Sequence, residues 1–238
     1  MQVRDARPVV YLLHGLLGTA YAHFGAQITR WTTGHRVVPV DLPGHGRCPL
    51  DAGDRYLDQS LDYVLAVLER FGRGRLVAAS HLGGPLAVRA AAARPDLVDS
   101  LVLTGFAPGL ERGAFLGLLA GFHRLAAEHP PLAAEYERLH GGRWAGTLDA
   151  FSAHVGRDFE GTALVRPEAL AALDVDTFIC NGSHKSVERD AARGAARLGP
   201  RVRGRVLDGA GHIASLDAPD AFTTAVEDFW LTRERSVA

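Results

Sequence analysis

RLVAASHLGG, residues 75–84, is the stretch on which the reading of this chain turns. Its first half is a short apolar run, its second a bend of small residues. An alanine-rich segment, 83–94, then runs up to Pro95. Strand, sharp turn and helix follow one another without a linker.

Outward from that bend the same rhythm recurs. Further β-rich apolar runs lie at 9–15 (VVYLLHG), 36–42, 100–105, 176–182 and 201–209. The first five of the six runs alternate little and are separated by helical patterns, as expected of parallel strands buried on both faces. Leu57, Leu61, Val64, Leu65 and Leu68 recur at helical spacing before Gly72. Near the C-terminus, Asp217 is expected to cap a helix with Pro219 in its first turn and Phe222, Val226, Phe229 and Trp230 as its buried stripe. Between 106 and 173 no strand is expected. Phe115, Leu118, Leu119, Phe122 and Leu125 mark one helix ending at Pro130-Pro131, and shorter helical pieces follow near 132–140, 146–155 and 167–173. A helical insertion between parallel strands reads as a cap over their carboxyl ends, where open α/β sheets bind ligands. The expected organisation is a core of 1–105 and 174–238 interrupted by a cap at 106–173.

The 238 residues suit one large α/β domain, and 47% hydrophobic residues can fill its core. With 26 basic and 27 acidic residues the formal charge is -1, which argues against a general polyanion-binding role. Cys48 and Cys180 do not make a disulfide framework, and buried free thiols are the expectation. No signal-peptide core or membrane-length apolar run stands out, so a cytoplasmic protein is expected. The expected partner is a small-molecule substrate, with no nucleic acid and no membrane; a homodimer stays open. No metal-ligand spacing and no complete phosphate-cradling glycine loop is present, and no cofactor is expected.

Four motifs occur in order: HGLLG at 14–18, DLPGHGRC at 41–48, ASHLGG at 79–84 and GAGHIASLDAPDAF at 209–222. Together they resemble the α/β-hydrolase superfamily over nearly the whole chain. The short N-terminus before the first strand is similar to the plant methylesterase and hydroxynitrile lyase branch. The resemblance implies a doubly wound, mainly parallel sheet and a nucleophile on the strained bend between strand and helix.

Two registers fit that bend. With Ser80 at the tip, the residues two before and two after are Ala78 and Leu82. With His81 at the tip they are Ala79 and Gly83. Crowding favours small flanks, so His81 is expected at the tip in place of the usual serine, with Ser80 one residue before it. The family's general base maps to His212. Its acid normally stands three residues after a glycine, and counting from Gly182 that position is Lys185; Glu188 and Asp190, nearby, also suit a helix N-terminus. The oxyanion donors map to the backbone N–H groups of Leu16 and Leu82. His14, Asp41 and His45 map to loop-shaping positions, and His184 is a further titratable residue beside Lys185.

A site so altered lacks the hydroxyl and the orienting acid of covalent serine catalysis. The first expectation is therefore acid–base catalysis by His81 and His212, of lyase, cyclase or isomerase type, on an apolar carbonyl compound, in specialised metabolism. Imidazole, with a reference pKa of about 6.5, suits such proton transfer. The second is hydrolysis of a small ester, thioester or lactone. The third is an inactive ligand-binding protein, and the fourth is a shifted bend with Ser80 as nucleophile.

Overall fold

A computed structural model describes residues 7–237. Six strands, β1 (Val9–Leu13), β2 (Arg36–Val40), β3 (Gly74–Ala79), β4 (Val98–Thr104), β5 (Asp176–Gly182) and β6 (Val202–Leu207), form one sheet in the order β2-β1-β3-β4-β5-β6. All five pairings are parallel. Each of the six apolar runs yields a strand, including the last.

The strands lack alternation because both faces are covered. Tyr11, Leu13, Leu76, Ala78, Leu101 and Leu103 point into one core, beneath α2 (Tyr56–Phe71) and α3 (Ser80–Ala93). Val10, Leu12, Val77, Ala79 and Val102 point into the other, beneath α1 (Ala20–Trp31) and α11 (Pro219–Val237). Neighbouring side chains on a strand face opposite ways, so two apolar faces give a continuous apolar run. Phe222, Val226, Phe229 and Trp230 are buried on α11 as expected. Asp217 differs from expectation. It ends a short helix, α10 (Ala214–Asp217), and accepts a hydrogen bond from the Gly211 N–H at 2.9 Å.

Between β4 and β5 the chain is helical: α4 (Arg112–Glu128), α5 (Pro130–His140), α6 (Trp144–Arg157), α7 (Phe159–Thr162) and α8 (Pro167–Ala171). Pro130 both follows α4 and opens α5, a position where its missing N–H costs nothing. Of the α4 stripe, Phe115 and Leu119 are buried, whereas Leu118 and Leu125 are exposed. Helix α9 (Ser186–Gly194) follows β5.

The chain order places a topological switch between β1 and β3. From β1 it moves outward to β2, then returns to β3 on the other side. The carboxyl ends of β1 and β3, paired as Leu13 and Ala78, therefore lead apart, β1 into a loop and β3 directly into α3, at the edge where open α/β sheets form crevices. Cys48 and Cys180 are buried free thiols. Among the described residues, no helix is long and apolar enough to cross a membrane.

Candidate active site

The bend after β3 carries its strain at Ser80. Its φ is +63°, in the left-handed region that side chains normally avoid, whereas His81 lies inside the first turn of α3. The tip is therefore Ser80, not His81. Small flanks do not mark the tip here, because the crowded position is three residues past it. A Cβ on Gly83 would stand 2.7 Å from the His14 carbonyl oxygen and 2.8 Å from that of Leu13. Leu82, two past the tip, borders the cavity and is tolerated there. A second close approach lies across the cleft, where a Cβ on Gly15 would stand 2.7 Å from Ser80 Cβ.

Ser80 Oγ donates to His212 Nε2 at 3.0 Å, and His212 Nδ1 donates to Glu188 Oε1 at 2.7 Å. A hydroxyl, an imidazole and a carboxylate thus stand in series. The triad expected to be degenerate has all three groups, and the acid is Glu188 in the first turn of α9 instead of a residue at the Lys185 position. Lys185 sits at the N-cap of α9 and lines the cavity. The Glu188 side chain is 9% exposed, so its carboxylate faces the His212 ring with little intervening water. Asn181, fully buried on β5, braces this acid. Its Nδ2 donates to the backbone oxygens of Glu188 and Phe106, both at 2.8 Å.

Glu188 escaped the sequence reading because a glutamate there also suits the helix dipole. Position relative to His212, not residue type, distinguishes it. In the structure Asp190 is exposed and pairs with Arg189, and Glu188 is the buried one of the two carboxylates opening α9.

His81 does reach the cleft, as wall and not as tip. Its ring centroid lies 6.1 Å from that of His212, with the planes 22° apart. Phe106 and Phe115 flank it at 6.1 and 6.0 Å. Burial and the neighbouring His212 lower its pKa to about 4, so the ring is neutral near pH 7. With Ser80 at the tip, the backbone N–H following it belongs to His81, which displaces Leu82 from the expected donor position. Leu16, on the opposite loop, lines the same cavity.

That cavity measures about 390 Å³, within the range of small-molecule sites. Ser80, His212 and Glu188 border it on one side, and Leu110, Phe115, Leu119, Phe122 and Phe151 supply apolar walls from the inserted helices and the loop before them. The site can thus hold an apolar group against a serine hydroxyl that has a base in contact.

The β1 loop beside Ser80 is pinned by histidines. Gly18 N–H bonds Gly15 O to close a turn, Gly15 N–H donates to His23 Nδ1 at 3.1 Å, and Leu17 N–H donates to His45 Nε2 at 3.1 Å. His14 accepts from Leu42 N–H at 2.9 Å and donates to Gly15 O at 2.8 Å. Asp41 accepts from the N–H groups of Ala20 and Arg47. Burial holds His14 near pKa 4 and His23 near 3, and drives His45 well down, so all three serve as neutral acceptors. His184, by contrast, contributes its backbone N–H to the Ala210 carbonyl.

Known proteins share this fold and much of the chain's length. Residues 10–225 match the model of the Alpha/beta hydrolase family. A crystal structure of NosK from Streptomyces actuosus superposes with a TM-score of 0.93 at 64% identity, covering 95% of this chain and 98% of that one. The mouse sn-1-specific diacylglycerol lipase ABHD11 is 26% identical over 253 residues, 93% of this chain and 80% of that protein. The 2-(acetamidomethylene)succinate hydrolase of Mesorhizobium japonicum is 25% identical over 248 residues, 95% of this chain and 89% of that one.

Proposed function

Because the chain belongs to the alpha/beta hydrolase family, we propose that it is a serine hydrolase acting on a small ester, thioester or lactone with an apolar acyl part. The single observation that carries the reading is the Ser80–His212–Glu188 series, at 3.0 and 2.7 Å, opening on an apolar cavity.

In this reading Ser80 Oγ attacks the acyl carbon while His212 Nε2 takes its proton. Glu188 holds the His212 Nδ1–H and balances the imidazolium charge. The backbone N–H groups of Leu16 and His81 face the oxyanion that forms on the acyl oxygen. His212 then returns the proton to the departing alcohol, thiol or ring oxygen, leaving an ester on Ser80. Water, deprotonated by His212, attacks that ester; the Ser80–acyl bond breaks, the proton goes back to Ser80 and the acid is released.

The test is labelling by a fluorophosphonate, read by mass spectrometry, together with hydrolysis of p-nitrophenyl butyrate. Modification at Ser80 and a fall of about 10⁴-fold or more in kcat for Ser80→Ala are expected. An unlabelled wild-type protein that is also silent on esters would exclude the reading.

A second reading keeps His81 and His212 as an acid–base pair for lyase, cyclase or isomerase chemistry. It is favoured by the neutral His81 ring beside His212. It predicts the opposite dependence: turnover that survives Ser80→Ala and vanishes in His81→Ala.

A further inference from the structure

Leu17 is, with Ser80, one of two non-glycine residues of positive φ among those described. Its φ of +54° falls at the third position of the turn from Gly15 to Gly18. Glycine is the residue that ordinarily fills such a position. Here a buried leucine does, and both polar groups of Leu17 are taken by histidine rings. Its N–H goes to His45, on the loop after β2. Its C=O accepts from His140 Nε2 at 3.0 Å, and His140 lies at the end of α5, 123 residues away.

His140 is itself fixed on its other side, since the Gly46 N–H donates to its Nδ1 at 3.0 Å. An imidazole whose Nδ1 accepts must carry its proton on Nε2, so the ring is the neutral tautomer that donates to Leu17. The ring is buried, with the residue 3% exposed. Arg143, one turn on, ties the same segment down through the carbonyls of Gly46 and Cys48 at 2.8 and 2.9 Å. The Leu17 side chain packs among Ala126, Tyr136 and Leu148, from α4, α5 and α6. The inserted helices thus hold both the side chain and the carbonyl of the residue that follows Leu16.

We propose that His140 is a positioning residue. It latches the inserted helices to the turn that aims the Leu16 N–H, so that this donor is correctly placed only while α5 is docked. The proposal rests on the serine-hydrolase reading, in which that N–H meets the oxyanion. Its physical basis is that a left-handed leucine does not keep its conformation unaided, and a donor moved by about 1 Å loses most of its effect in the transition state.

The two nitrogens are separable by substitution. In His140→Gln the amide NH₂ reaches the place of Nε2 and can still donate to Leu17 O. In His140→Asn the amide oxygen takes the place of Nδ1 and can still accept from Gly46, but the Leu17 contact is lost. Steady-state kinetics on p-nitrophenyl butyrate, the rate of fluorophosphonate labelling, and hydrogen exchange of peptides spanning 15–18 are read for both. The expected result is kcat within about threefold of wild type for Gln and a fall on the order of 10- to 100-fold for Asn, with KM little changed, slower labelling and faster exchange. Equal kcat in the two variants, or losses that follow melting temperature alone, would overturn the latch while leaving Ser80 labelling intact. Absence of wild-type labelling and turnover would remove both the latch and the reading beneath it. Should His140→Asn not fold, His140→Ala assayed at 10 °C replaces it, and kcat equal to that of Gln then refutes the proposal.

Discussion

Ser80 and Leu17 share the same left-handed backbone strain, and the fold holds them in opposite ways. Ser80 is clamped by its own neighbours. The buried strand β3 ends at Ala79, α3 begins at once, and Gly15 and Gly83 let adjacent backbones close in. Leu17 lies on an irregular loop, and its conformation is fixed by His45 and His140, 28 and 123 residues away. A left-handed non-glycine residue costs about 1–2 kcal/mol in either place. At Ser80 the junction of β3 with α3, packed against the loop after β1, imposes it; at Leu17 hydrogen bonds with histidines remote in sequence do. A nucleophile must be invariant in position, whereas a loop held by an inserted segment can respond to that segment's docking.

Several substitutions sharpen this contrast. The largest effect after loss of Ser80 itself is expected from Glu188→Gln, which keeps the shape but leaves His212 without a charge partner. The expected fall in kcat is on the order of 10³–10⁴-fold, measured on p-nitrophenyl butyrate, with the melting temperature little altered. Asp190→Asn, on the exposed neighbour, should leave the rate unchanged, and an equal loss in both variants would remove Glu188 from its role.

Gly83→Ala attacks the locally held bend. The added methyl meets the carbonyls of Leu13 and His14 at under 3 Å, so a loss of about 1–3 kcal/mol is expected, read by urea unfolding. No change in midpoint would show that the bend is not crowded there.

Acid tests the histidine-held side. His14, His23 and His81 have pKa values lowered to about 4, 3 and 4 by burial, against 6.5 when unfolded. Below pH 6.5 the unfolded chain therefore takes up protons that the folded chain refuses. Stability should be flat above pH 7 and fall steadily from 6.5 towards 4. A melting temperature constant over that interval would contradict the buried neutral histidines.

The smallest effect is expected at His81. As a cavity wall its replacement by Phe should change kcat/KM for plain acyl esters by less than about tenfold. A collapse of activity with Ser80 labelling preserved would instead return His81 to the chemistry.

Much of the fold is legible in the residues. VVYLL at 9–13 and RLVAA at 75–79 declare buried strands because burying both faces leaves no room for polar alternation. His212 is legible through the motif around it. The elbow register is not, since Leu82 looks too large for a flank until Gly83 is seen to take the close approach. The stripe on α4 shows a similar limit: Leu118 has core spacing yet stays exposed at the cavity's edge.

By itself, the sequence determined which segments are strands and where helices lie between them, because hydrophobic burial is written in spacing along the chain. Only the tertiary structure decided that Ser80 takes the left-handed tip, that Glu188 and not Lys185 meets His212, and that His140 reaches Leu17. Hydrogen bonds depend on direction as well as proximity, and direction at these positions is set by how separate elements pack.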